Sequence, residues 1–329
     1  MLIVLQLAIN LFYMKHVIKM KNCFLFTTVV FAFILAPQFV LAQKSTKAKQ
    51  VDSSTIASIM GIKGKSNNGE YKITIPQNDL SVMVDGFKII PPMGLGTWVA
   101  FAPAKKGVMV MGDIIITETD LKPVQQEIIK QGLTSTATHN HFVRNHPNIM
   151  YMHIGGTGST EEMARKAKAV LDKVKEVRGN DPAKGTASAE AVINTIDTKW
   201  LDEILGHKGE MSKGVFKHTI GRPDVQLKEN GVTVSTFLGF NTWAAWQGTA
   251  DRAAVAGDFA MLENEVEPVL KALIENGIEV VALHNHMVHE QPRIFFLHYW
   301  GVGNAEQLAK GLKAALNQTG KNQPGMRGM

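Results

Sequence analysis

Apolar positions along the chain switch between helical and strand spacing, and the same succession of switches runs twice. Ser54 to Met60 repeats at helical spacing and meets Gly61, a fitting helix stop. Tyr71–Ile75 and Ser81–Val84 alternate as strands do, with a glycine turn at Gly86. Thr97–Phe101 and Val108–Ile116 predict a strand pair around Ala104-Lys105-Lys106-Gly107. A helix is expected over Leu121–Lys130, between Asp120 and Gly132. Leu133–His141 and Ile149–Ile154 read as a hairpin with a broad loop around Asn145-His146-Pro147. Gly155, Gly156 and Gly158 lead to a closing helix, Thr160–Lys175, with Met163, Ala167, Val170, Leu171 and Val174 as its stripe.

Shifting the chain by 145 residues lays the second succession on the first without a gap. A helix over Thr198–Leu205, strands at Phe216–Ile220 and Val225–Leu227, and a last helix with Leu308, Leu312 and Leu316 are its counterparts. Thr97-Trp98 meets Thr242-Trp243, Gly112-Asp113 meets Gly257-Asp258, and Pro123-Val124 meets Pro268-Val269. A period this long means tandem domains, not a solenoid of roughly 20–50-residue repeats. Runs of strands with helices between and after them predict an α+β fold, each domain a mainly antiparallel sheet with packed helices. The expected domains are 51–177 and 188–320, joined by a turn-rich linker over 178–187.

Residues 1–42 differ from the rest. Lys15, Lys19 and Lys21 precede an apolar run, Phe24–Leu35, and Val40-Leu41-Ala42 ends in small residues. This is the pattern of a secretory signal peptide, the run being short for a membrane span of roughly 20 residues. Met14 and Met20 are both candidate starts. Cleavage after Ala42 would remove Cys23, the one cysteine, and leave 32 bases against 29 acids. That balance gives no case for nucleic acid, and no stable membrane span is expected after cleavage. The expected location is the periplasm or the exterior, and the expected partner a small-molecule or cell-envelope ligand.

Eight of the eleven histidines fall in or beside the two hairpins. His139, His141 and His153 reappear as His284, His286 and His298. Side chains two apart on a strand share a face. A hairpin centred on His146 sets His139 opposite His153, with Cβ atoms about 4.5–5.5 Å apart. Each hairpin is therefore expected to gather three imidazoles, a set suited to a divalent metal, zinc first, with one position left open. Glu118 and Glu263, just before the central helices, are the candidate general bases, although an acid at a helix N-terminus is also favoured by the dipole. Asp113 and Asp258, inside the preceding strand, are further candidate carboxylates that suit a turn or bulge better, and Trp98 and Trp243 could line a sugar or aromatic pocket but suit core better. His146, His207 and His218 lack counterparts and read as incidental, whereas His289 and Glu290 add polar groups to the second loop. His-Asn-His is contiguous here and so does not match the dispersed nuclease motif of those letters.

The doubled block, with its His-Asn-His segment, the apolar strand ending in histidine and the Gly156-Thr157-Gly158 or Gly301-Val302-Gly303 turn into the last helix, resembles the LppY/LpqO family of secreted bacterial proteins. The resemblance implies export and brings no assigned activity. Those names refer to lipoproteins, and this chain has no cysteine after its leader to carry a lipid. Three readings follow: a metal-dependent hydrolase, a non-catalytic ligand- or metal-binding module, and a histidine-lined fold without metal.

Overall fold

The computed structural model describes residues 50–77, 79–179 and 191–320. The expected signal peptide and most of the expected linker, from 180 on, lie outside them. Both repeats belong to one compact unit, Ala48–Met329. The first repeat begins with helix α1 (Ser53–Met60), which Asp52 caps by accepting from the Thr55 amide. Its main sheet takes β1 (Lys65–Asn67), β2 (Glu70–Pro76), β5 (Gly96–Pro103), β6 (Val108–Thr117), β7 (Thr134–His139) and β9 (Ile149–Gly158), in the order β1-β2-β5-β6-β9-β7. Every pairing in it is antiparallel. A small sheet sets β3 (Val82–Val84) between β4 (Phe87–Ile89) and β8 (Asn145–His146). Helices α2 (Leu121–Lys130) and α3 (Thr160–Arg178) complete the repeat.

The second repeat reproduces this at the same offset. It has α4 (Thr198–Leu205) and a sheet of β10 (Gly209–Ser212), β11 (Val215–Gly221), β14 (Asn241–Gly248), β15 (Ala253–Leu262), β18 (Ile294–Gly303) and β16 (Glu279–His284), in that order. Its small sheet is β13 (Val232–Thr233), β12 (Lys228–Glu229) and β17 (Glu290–Gln291), and its later helices are α5 (Glu263–Glu275) and α6 (Ala305–Leu316). The expected strand at Val225–Leu227 is irregular, and pairing begins at Lys228 after the Arg222-Pro223-Asp224 turn.

Each sheet has one face against its own helices. There Ile73, Val99, Val110, Ile114, Met152 and Ile154 pack with Ile56, Val124, Ala167 and Val170. The opposite face meets the other repeat. One shared cluster joins Ile115, Phe142 and Tyr151 to Val215, Ala245, Ala256 and Trp300. A second joins Ala100, Met109 and Met111 to Leu227, Leu238, Phe240 and Phe296. With both faces covered, β6 is buried at all ten positions, which is why its sequence is nearly continuous in apolar residues rather than alternating.

Two differences from the expected elements have packing causes. The glycine step before α3 is the end of β9, not a turn. A Cβ at Gly156 would sit 2.7 Å from Leu133 Cδ2, and one at Gly158 2.7 Å from Met163 Cε, so glycine lets the helix layer close onto the strand. Helix α3 runs past Lys175 through Arg178, which was expected to open the linker. Arg178 is buried, with its Nε donating to Asp120 Oδ2 at 2.8 Å and its other nitrogens donating to Gln77 and to the Ile115 carbonyl. In the second repeat Arg222, the counterpart of Gln77, fills this role and pairs with Glu265 at 2.7 Å.

Candidate metal centre

Antiparallel partners share a sheet face. The register therefore writes a row across the first sheet: Thr74, Trp98, Asp113, His153 and Ala137. The second sheet carries Thr219, Trp243, Asp258, His298 and Ala282 in the same places. Two residues to one side of this row lies Lys72 and two residues to the other lies His139, both on the same face, with Lys217 and His284 in the matching places of the second repeat. This is the face that each sheet turns toward the other repeat, so the two rows meet.

The hairpin register differs from the expected one by two residues. His139 stands opposite Tyr151, and His153 opposite Ala137. An even shift preserves the face, so all three histidines still point to one side. The shift arises because the connection is not a free loop: Phe142 is fully buried and Asn145–His146 pair with β3. His141 lies just beyond β7, its ring stacked on Tyr151 with centroids 3.3 Å apart, and His286 lies on Phe296 at 3.4 Å.

The six histidines form one cluster rather than two. The rings of His139 and His284, equivalent residues of the two repeats, stack at 3.9 Å. His141 lies 3.7 Å from His298, and His153 lies 4.1 Å from His286. Three sets have ligand atoms all within 4.8 Å of one another: His139 with His284 and His298, His153 with His284 and His286, and Asp113 with His139 and His141. Two of the three draw on both repeats. The expected trios, His139 with His141 and His153 and their partners, are thus interleaved.

Burial sets the protonation. It holds His153 down to about 4 and His298 down to about 3. Burial and then the neighbouring imidazoles hold His139, His141, His284 and His286 well below the usual histidine range. All six are neutral at pH 7, the form that binds metal. His153 Nδ1 lies 3.2 Å from the Gly112 carbonyl and His298 Nδ1 3.0 Å from that of Gly257. If these nitrogens carry the proton, Nε2 is the lone pair left to donate, the arrangement that typically orients a metal-bound histidine. Burial also raises Asp113 to about 7 and Asp258 well above the usual carboxylate range. Asp113 Oδ2 stands 3.7 Å from His141 Nε2, and Asp258 Oδ2 3.5 Å from His286 Nε2. Among the described residues, both ring nitrogens of His139 and His141, Nε2 of His153 and Oδ1 of each aspartate are buried without a protein hydrogen-bond partner. Each such group costs about 1–3 kcal/mol. A divalent cation fits this set, because it engages neutral imidazole nitrogens and carboxylate oxygens together.

A cavity of about 750 Å³ opens onto the cluster. His141, His153, His286, His298 and both aspartates line it, with Trp98 and Trp243. Lys72 Nζ lies 4.0 Å above the Trp98 ring and Lys217 Nζ 3.9 Å above Trp243. The tryptophans are half-buried walls of this cavity rather than core. The rim of each indole abuts the other repeat: a Cβ at Gly94 would lie 3.4 Å from Trp243, and one at Gly239 3.4 Å from Trp98.

The family described as Domain of Unknown Function (DUF1259) matches residues 54–173 and again 199–318. The chain belongs to this family. No curated protein matches the chain. Solved structures that match include a trimeric bacterial microcompartment shell protein, PduB, at 10% identity over 76% of this chain and 86% of that one, with a TM-score of 0.18. EtuB from Clostridium kluyveri matches at 7% identity over 78% and 88%, also with a TM-score of 0.18.

In these two DUF1259 domains the expected carboxylates stand apart from the cluster. Glu118 is exposed and accepts from Asn148 Nδ2 at 2.8 Å, and Glu263 is exposed at the first turn of α5. Each lies five residues beyond its aspartate, about 17 Å along an extended chain. Asp113 and Asp258 occupy the position expected of the glutamates, in mid-strand rather than at a turn or bulge. An acid inside a ten-residue apolar strand, repeated in both copies, was the available signal. The matched Lys72 and Lys217 were another. His218 Nε2 donates to Asp202 Oδ1 at 2.9 Å on the helix-facing side of its sheet, and His146 and His289 are exposed.

Proposed function

We propose that the two DUF1259 domains jointly hold a divalent metal, zinc by preference, in one shared centre, and that the centre performs hydrolytic chemistry on a small-molecule or cell-envelope substrate. The observation that carries this reading is the stacking of His139 on His284, each in a potential ligand set with histidines of the other repeat. His139, His141, His153, His284, His286 and His298 are the ligands to choose from, with Asp113 and Asp258 beside them. A divalent metal held by these residues would supply a Lewis acid. Asp113 and Asp258 hold or release a proton at their Oδ atoms, His153 and His298 are oriented by main-chain carbonyls, and the indoles narrow the approach.

The burial of five of the six histidines favours a second reading, a closed centre in a non-catalytic binding module. Metal analysis of the purified chain tests what the two readings share: about one equivalent or more retained is expected, and none would reject both. Turnover on a panel of esters, amides and glycans, abolished by His284→Ala, separates hydrolase from module. The proposed exported location and the LppY/LpqO resemblance rest on residues 1–42 and the repeated motifs. Fractionation with N-terminal sequencing tests export, and an intact leader on cytoplasmic protein would refute it.

A further inference from the structure

We infer that the cavity above the histidines binds a phosphate group, free or as a phosphomonoester, between Lys72 and Lys217. The inference rests on the shared metal centre, because it concerns what approaches that centre. Four observations support it.

The lysines occupy equivalent positions in β2 and β11, so the pseudo-symmetry that unites the histidines brings both ammonium groups into one cavity. Each lies over an indole, and the polar contact of Lys72 is the Phe237 carbonyl at 3.3 Å. Among the described residues neither lysine is in an ion pair. Both are half-buried, and an ammonium held inside a cavity favours an accompanying anion. Burial lowers both to about 8, with each charge opposing the other at Lys217, yet both remain mainly protonated at pH 7.

The carboxylates that line the cavity are Asp113 and Asp258, whose charges are needed at the metal, and Glu70 lies near Lys72 from outside that lining. Once metal offsets the aspartates, Lys72 and Lys217, with exposed Lys65 beside them, face the cavity with no counter-charge in its lining. A phosphate dianion matches the charge of the two half-buried lysines, which a carboxylate does not. Thr74, Thr219, Thr236 and Asn241 on the same walls offer further donors to its oxygens. The cavity is large enough for a phosphate carrying an organic group.

The test is calorimetric titration of the zinc-loaded full chain with inorganic phosphate at pH 7, with acetate as the monoanion control and zinc content measured on each sample. Saturable binding near one phosphate per chain is expected, with acetate at least tenfold weaker. Lys72→Met and Lys217→Met keep the stem over the indole and should each weaken phosphate at least tenfold with zinc content unchanged. Lys72→Arg should restore most of the affinity. Retained zinc with no phosphate binding, or with equal affinity in the methionine variants, would overturn the inference and leave the metal reading standing. A chain that holds no zinc would overturn both. If a methionine variant fails to fold, wild-type phosphate binding and its preference over acetate still decide.

Discussion

Replacing His139 with alanine distinguishes one shared centre from two independent ones. His139 belongs to a ligand set with His284 and His298 and to another with Asp113 and His141, and its ring is stacked on His284. Binding of structural zinc is worth about 10–16 kcal/mol over four ligands, or about 3 kcal/mol for each, so one lost ligand weakens binding about a hundredfold. With metal at a thousand times Kd the folded chain gains about 4.1 kcal/mol, and after a hundredfold weakening about 1.4 kcal/mol. For a unit of this size 1 kcal/mol moves Tm by about 2–4 °C, so a zinc-dependent rise of about 8 °C should fall to about 3 °C. Scanning calorimetry with and without zinc, alongside metal analysis, reads both quantities. His284→Ala should match His139→Ala, and the double variant should abolish the remaining rise of about 3 °C, because both take ligands from the same centre. A single variant that keeps half of the zinc, with the double variant losing the rest, would refute the shared centre.

Acid should destabilise the chelated protein. Below about pH 6.5 the unfolded chain protonates His153 and His298, whereas the folded chain leaves them neutral down to about 4 and about 3. Asp113 opposes this by holding a proton in the folded state up to about 7. Two histidines against one aspartic acid leave a net of one proton, about 1.4 kcal/mol lost per pH unit between about pH 6.5 and 4. The other four histidines steepen the loss and Asp258 softens it. Urea midpoints at pH 7 and pH 5 check the sign, and a midpoint that rises toward acid would contradict it. Arg222→Met should cost about 3–5 kcal/mol, because it leaves buried Glu265 without its cation. Chemical denaturation reads that loss, and a change under 1 kcal/mol would show the pair to be dispensable. Glu118→Gln and Glu263→Gln should leave zinc content unchanged, since both side chains are exposed and away from the cluster, with loss of the helix-dipole interaction at Glu263 costing at most about 1 kcal/mol. Loss of zinc in either would return these glutamates to the site.

The duplication, the strand and helix order and the α+β class were legible in the sequence because each depends on local spacing. Apolar period, glycine stops and the 145-residue match are all properties of short stretches laid side by side. The face shared by His139, His141 and His153 was legible for the same reason, and it survived a two-residue error in register because strand side chains alternate with period two. What lay opposite that face was not. An apolar or half-polar surface records that it will be covered, not by what, and here the cover is the other repeat. Only the packing of sheet on sheet turned two expected trios into one cluster of six. The same packing set Asp113 and Asp258, rather than Glu118 and Glu263, beside the histidines, and made Trp98, Trp243, Lys72 and Lys217 the walls of a common cavity.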